Sequence, residues 1–276
     1  MEISGFKFYR IAALAALLFV LTAAGCGGEG TSAPNSPDTS APAAESKRGQ
    51  EIIAEFLKRD AAPFRKARVR FIVKTDGEPD KVYEIDTWRK QMPDATTTLS
   101  QIVKPADESD LASLTIEPAG QKATVVTYAA SRNEFRETDT NKIFFGGLTA
   151  GELLGEWGKF TYRYLGEKEV NGRKLLEVEG KLKDGMSSVV ARMNVLFRSD
   201  YFLPTELHLF DNTGKEIRTY KTVEFKDDTT HPYALKTEVD NPVYKSHVVI
   251  EILSQEFPKA IDDMVFTRER LKQPVK

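Results

Sequence analysis

The chain has 276 residues, of which 39 are basic and 41 acidic, for a formal net charge of −2 at pH 7. That balance excludes the basic excess by which a nucleic-acid binder announces itself. The single cysteine excludes a disulfide framework.

Lys7 and Arg10 precede an uninterrupted apolar and small run over residues 11–24. A helix of that length rises about 21 Å, short of a hydrocarbon core of roughly 30 Å. The run is therefore expected to be the core of a signal peptide over 1–25 rather than a membrane span. It ends in Ala23-Ala24-Gly25-Cys26, which resembles the lipobox of bacterial lipoproteins, although Ala23 stands where leucine is usual. The resemblance implies cleavage before Cys26 and acylation of its thiol, palmitate included, so that the chain meets a membrane through an N-terminal lipid. Several acyl chains hold far more firmly than one.

Residues 27–46 carry no aromatic, branched aliphatic or basic side chain, and 16 of these 20 are Gly, Ser, Pro, Thr or Ala. Such a segment buries too little apolar surface to offset its ordering entropy. With Cys26 it is expected to form a flexible tether over 26–46, with a reach of about 25 Å. Gly27 stands where enterobacterial sorting rules would place an acidic retention signal. By that likeness the expected location is the outer membrane, facing the periplasm, in a diderm cell, and otherwise the outer face of the plasma membrane.

Residues 47–276 suit one domain or at most two. Within 46–60, Ile52, Ile53, Phe56 and Leu57 fall at i, i+3, i+4 spacing among charged residues, which predicts an amphipathic helix stopped near Pro63. Beyond residue 66 the pattern has period two. Ala67, Val69, Phe71 and Val73 alternate with Arg68, Arg70 and Lys74. The same alternation runs through Phe160, Tyr162 and Tyr164, through Leu176, Val178 and Leu182, and from Val189 to Phe197. It returns at Tyr233, Leu235 and Val239, and at Val248, Ile250 and Ile252. This is the mark of antiparallel sheet with one dry and one wet face. Asn171-Gly172 predicts a type I′ hairpin, Asp211 to Gly214 a second turn, and Thr149 the N-cap of a short helix over 149–156. Gly146-Gly147 is expected to turn the chain into it. About ten strands are expected, enough for a sheet to curl. The expected fold is mainly β with α: a curled antiparallel sheet forming a half-open β-barrel covered by one or two helices.

Three stretches carry a family resemblance. Tyr164-Leu165-Gly166-Glu167-Lys168-Glu169-Val170-Asn171-Gly172-Arg173 resembles a hairpin of the LolA-like outer-membrane lipoprotein-sorting family. Leu203-Pro204 followed by Asp211-Asn212-Thr213-Gly214-Lys215 resembles a later stretch of that family, and Ile261 to Thr267 followed by Leu271 resembles its close. Together they cover roughly residues 50–271. The resemblance implies a LolA-like half-barrel domain over 47–276, with a hydrophobic cavity that takes acyl lipid or the acyl chains of lipoproteins. The soluble chaperone of that family is not lipidated, so an anchored chain resembles an acceptor or tethered carrier more closely. The alternative is a scaffold or sensor lipoprotein of the same fold that binds an envelope protein partner.

On the carrier reading the helix would act as a lid, with Phe56 and Leu57 touching ligand and Val69, Phe71 and Val73 lining the wall beneath. Trp88, Phe160, Tyr162 and Tyr164 would extend that wall. Alternation identifies an inward face, yet a filled core would show the same pattern. Catalysis has little support: His208, His231 and His247 lack metal-ligand spacing, and no G-x-S-x-G elbow or Walker loop occurs. Neighbours in a strand point to opposite faces, so Asp262-Asp263 and Asp227-Asp228 make poor acid/base pairs. No enzyme activity and no cofactor are expected.

Overall fold

A computed structural model describes residues 40–59, 62–106, 111–118, 121, 123–138, 140–227 and 230–273. The expected signal peptide, Cys26 and the tether up to residue 39 lie outside the described residues, as does Asp228. Helix α1 spans Ser40–Arg59, so it starts at Ser40 rather than at 46 and takes up the end of the expected tether. Ala43 and Ala44 are strong helix formers. Pro42 falls in the first turn, where its missing amide does no harm. Ile52 and Ile53 turn inward, while Arg48, Glu51 and Lys58 stay exposed. No helix among the described residues is long and apolar enough to cross a membrane.

Thirteen strands follow among the described residues, rather than about ten. They are β1 (Phe64–Thr75), β2 (Lys81–Gln91), β3 (Ala95–Lys104), β4 (Leu111–Pro118), β5 (Thr124–Ala129) and β6 (Glu134–Thr138). After helix α2 (Ala150–Leu154) come β7 (Phe160–Val170), β8 (Arg173–Leu182), β9 (Arg192–Arg198), β10 (Pro204–Phe210), β11 (Glu216–Lys226), β12 (Tyr233–Asn241) and β13 (Ser246–Glu256). All join one antiparallel sheet in the order β6-β5-β4-β3-β2-β1-β13-β12-β11-β10-β9-β8-β7. The sheet curls without closing, a half-open barrel with β6 and β7 as its edges. Asn171 and Gly172 take φ of 52° and 73° between β7 and β8, the pair of positive values a type I′ hairpin needs. Strand β9 begins only at Arg192: Val189 is exposed and Val190, out of alternation, is the buried residue.

Strands β3 to β5 escaped hydrophobic alternation because their polarity is inverted. Leu99, Leu114, Val126 and Tyr128 point to the convex side, where Val265, Phe266 and Leu271 of the C-terminal segment cover them. Nearer the middle of the sheet the convex side is charged instead. Arg68 grips Asp86 through two bonds of 2.6 and 2.7 Å, and Arg70 reaches Glu84 at 2.9 Å and Glu251 at 3.4 Å.

The two halves of the concave side differ. Over β7 to β11 the hollow is filled: Ile52 and Ile53 of α1 pack with Phe160, Tyr162, Val178, Val195, Phe197 and Ile217. The helix approaches β7 closely because Gly49 has no side chain. A Cβ there would lie 2.9 Å from the backbone of Arg163. Backbone cannot swing aside, so Gly49→Ala is expected to lower stability by about 1–3 kcal/mol. Chemical denaturation of the two proteins checks this, and equal midpoints would mean that α1 slides along β7 freely.

Candidate functional site

The other half of the concave side is left open, as a cavity of about 930 Å³. Its floor is β1 to β5 with part of β13, and its roof is the connection from β6 to β7, which runs between the two edges of the sheet. That connection makes a single helical turn at Phe145–Gly147 and then forms α2. Thr149 caps α2 in a capping box: its hydroxyl accepts from the Glu152 amide at 3.2 Å, and the Glu152 carboxylate accepts from the Thr149 amide at 2.7 Å.

The roof is pinned to the far wall by polar contacts. Arg218 of β11 donates to the Gly147 carbonyl, and its Nη1 lies 3.0 Å from Oε1 of Glu152, with both side chains nearly fully buried. Asn241 and Ser246 donate to the Gly146 carbonyl at 3.0 and 2.6 Å. On the roof's inner side Phe145 packs on Tyr83, with ring centroids 4.4 Å apart, and on Phe71, at 5.2 Å.

Strand register grades the floor. One row across the sheet reads Ile252, Val69, Ile85 and Ile102, and the row above it has Ile250, Phe71 and Tyr83. One step the other way the row becomes Ala67, Thr87, Ser100, Ser113 and Thr127. The next pairs Arg65 with Arg89 and continues through Thr98 and Thr115. Glu117 stands beyond them, opposite Thr96. The hydroxyls of Thr127 and, on the facing wall, Tyr220 are buried with no hydrogen-bond partner among the described residues.

Burial pushes the Glu117 carboxyl up to about 7; Glu156 pushes the same way, and Arg89 acts against both. An unfolded chain ionises this group above about 4.5, whereas the folded one keeps the proton to about 7. Its contribution to stability is thus whole below 4.5, is lost as pH rises to 7, and is level above. The loss is expected to reach about 3 kcal/mol at most. Denaturation midpoints measured between pH 4.5 and 8 should show it, and Glu117→Gln should flatten that window; an unchanged slope in the variant would assign the effect elsewhere.

Of the residues singled out from the sequence, Val69, Phe71 and Val73 line the cavity. Their roof is residues 144–146 instead of the first helix, because α1 lies across β7 in the filled half. Phe56 packs edge-on against Trp157, centroids 5.0 Å apart, and against Phe197 at 5.7 Å. Phe160, Tyr162 and Tyr164 belong to the same filled core, and the Tyr162 hydroxyl donates to the Trp157 carbonyl at 2.7 Å. Leu57 is exposed. Trp88 packs on the convex side with Leu99 and Leu271, since its neighbours Thr87 and Arg89 are the residues that face inward.

Sequence reasoning missed Tyr83, Phe145, Ile102 and the inward hydroxyls, because a row of Thr and Ser carries no hydrophobic period. The polar residues set aside earlier have local partners. His208 meets Glu216 at 2.5 Å, His247 meets Asp240 at 2.8 Å, and the His231 ring stacks on Phe257. Asp262 caps a C-terminal turn through the Met264 amide, Asp263 meets Lys90 at 2.5 Å, and Asp227 meets Arg198 at 3.1 Å.

Residues 94–273 match a family model described as "Uncharacterized protein". No curated protein matches the sequence. Solved structures share the fold. A DUF1329 family protein from Desulfovibrio piger superposes with a TM-score of 0.76 at 16% identity, over 82% of this chain and 99% of its own. A domain ascribed to outer membrane lipoprotein sorting, from Vibrio parahaemolyticus, gives 0.76 at 16% identity, over 83% of this chain and 100% of its own. A LolA superfamily protein from Nitrosomonas europaea gives 0.66 at 12% identity, over 80% and 98%. The half-barrel is thus a fold that this chain shares with these three proteins.

Proposed function

The chain belongs to the family whose model spans residues 94–273, and from its open half-barrel, a fold it shares with a domain ascribed to lipoprotein sorting, we propose that it is a lipid-anchored envelope protein that holds an acyl chain in its cavity and acts as a lipid or lipoprotein carrier or acceptor. The observation that carries the reading is the half of the concave side that the described residues leave unfilled. α1 packs the neighbouring half solid, so the opening under Phe145 is not a general looseness of the fold. Val69, Phe71, Val73, Ile85, Ile102 and Ile250 give it an apolar wall. Each buried CH₂ gains about 0.8 kcal/mol, so a chain of a dozen carbons gains several kcal/mol with no specific polar contact. Cys26, acylated, would hold the domain at a membrane, and the tether would set its reach.

Native mass spectrometry of the full chain, with lipid extraction, tests the reading. Bound acyl lipid near one per chain, reduced by Phe71→Ser in a folded variant, is the expected result. A clean apo mass together with no uptake of a fluorescent fatty acid would overturn it and favour a scaffold that works through an envelope protein partner. For the anchor, Cys26→Ser should release the protein from the membrane fraction; retention there would refute lipidation at that residue.

A further inference from the structure

We propose that the cavity takes an anionic amphiphile in one orientation, with its acyl part between Phe71 and Phe145 and its charged head at the Arg65–Arg89 pair. This rests on the cavity reading above and adds the class and direction of the ligand. A cavity for plain hydrocarbon would be apolar throughout, and this floor changes character row by row. Two rows of Ile, Val and Phe give way to the hydroxyl row Thr87, Ser100, Ser113 and Thr127, and that row to Arg65 and Arg89.

Register places the two arginines directly opposite each other on adjacent strands, both on the cavity side. Like charges in that position repel. An anion between the two guanidiniums can accept charge-assisted hydrogen bonds from both. Between the two ends the hydroxyl row of Thr87, Ser100, Ser113 and Thr127 gives the wall a polar step. A carboxylate and a phosphate share this head chemistry, and the same gradient fits a fatty acid or an acidic phospholipid.

The test is a head-group series on one C16 chain, read by displacement of a fluorescent fatty acid from the full-length protein. Palmitate, palmitoyl lysophosphatidate, monopalmitoylglycerol and hexadecyltrimethylammonium are compared. The expected result is that an anionic member binds about ten-fold or more tighter than the neutral and cationic ones. Preference for palmitate or for lysophosphatidate then separates a carboxylate from a phosphate head. The double substitution Arg65→Gln with Arg89→Gln should erase that discrimination while monopalmitoylglycerol binds as before, and Arg89→Lys should keep most of it. Equal affinities across the series, or discrimination that survives in a folded double variant, would overturn the orientation while leaving the cavity reading intact. Failure of all four, the neutral lipid included, would overturn both. If the double variant does not fold, the series on the natural chain still decides.

Discussion

Arg218→Met is expected to lower stability by about 3–5 kcal/mol, because it strands the Glu152 carboxylate in a buried site. The two side chains are 5% and 7% exposed and meet at 3.0 Å. Arg218 is also a donor to the Gly147 carbonyl, so its loss frees the roof from β11 at two points. Adding Glu152→Gln should restore most of the loss, since the amide can keep the cap on the Thr149 amide and carries no charge to strand. A double-mutant cycle by urea denaturation measures the coupling. Additive losses would mean that the pair does not hold the roof. Hydrogen exchange should accelerate in the Arg218→Met protein over residues 140–155 before it does in β8 or β9, because those strands belong to the core filled by α1.

Phe197→Ala should cost a similar amount, about 3–5 kcal/mol, for a different reason. Phe197 is fully buried at the meeting of three elements. Its ring lies 5.7 Å from Phe56 of α1 and 6.4 Å from Trp157 ahead of β7. Removing it leaves a void that neither the sheet nor the helix can close. The melting temperature should fall by roughly 10 °C. Lipid capacity should stay the same in the folded fraction, because Phe197 is not part of the cavity wall. A large loss of bound lipid at unchanged stability would place the ligand under α1, where the first helix acts as the lid, and would count against the hollow beneath Phe145.

The contrast between these two substitutions marks where reading the sequence stopped being sufficient. Phe160, Tyr162 and Tyr164 show the same apolar spacing as Val69, Phe71 and Val73, yet the first set packs a core and the second lines an opening. Local periodicity reports only that a side chain faces inward. Whether anything fills the space in front of it depends on which element crosses there. Here a helix beginning at Ser40 crosses β7, and a glycine-containing loop crosses β1.

The sequence by itself determined the class of fold: period-two patterning over most of the chain, one amphipathic helix before it, the Asn171-Gly172 hairpin and the Thr149 cap. These are short-range matters of steric preference and hydrogen bonding among neighbours, so they are written locally. It did not determine the inverted strands. The hydroxyls of β3 to β5 carry no hydrophobic period, and it is the curl of the sheet that makes them the floor of a cavity while the C-terminal segment covers Leu99 and Leu114 behind them. Only the tertiary structure decided which face of each strand is enclosed, because enclosure is set by residues more than a hundred positions away, as when Arg68, Asp86 and Leu271 share one side of the same sheet while Arg65, Arg89 and Tyr220 share the other.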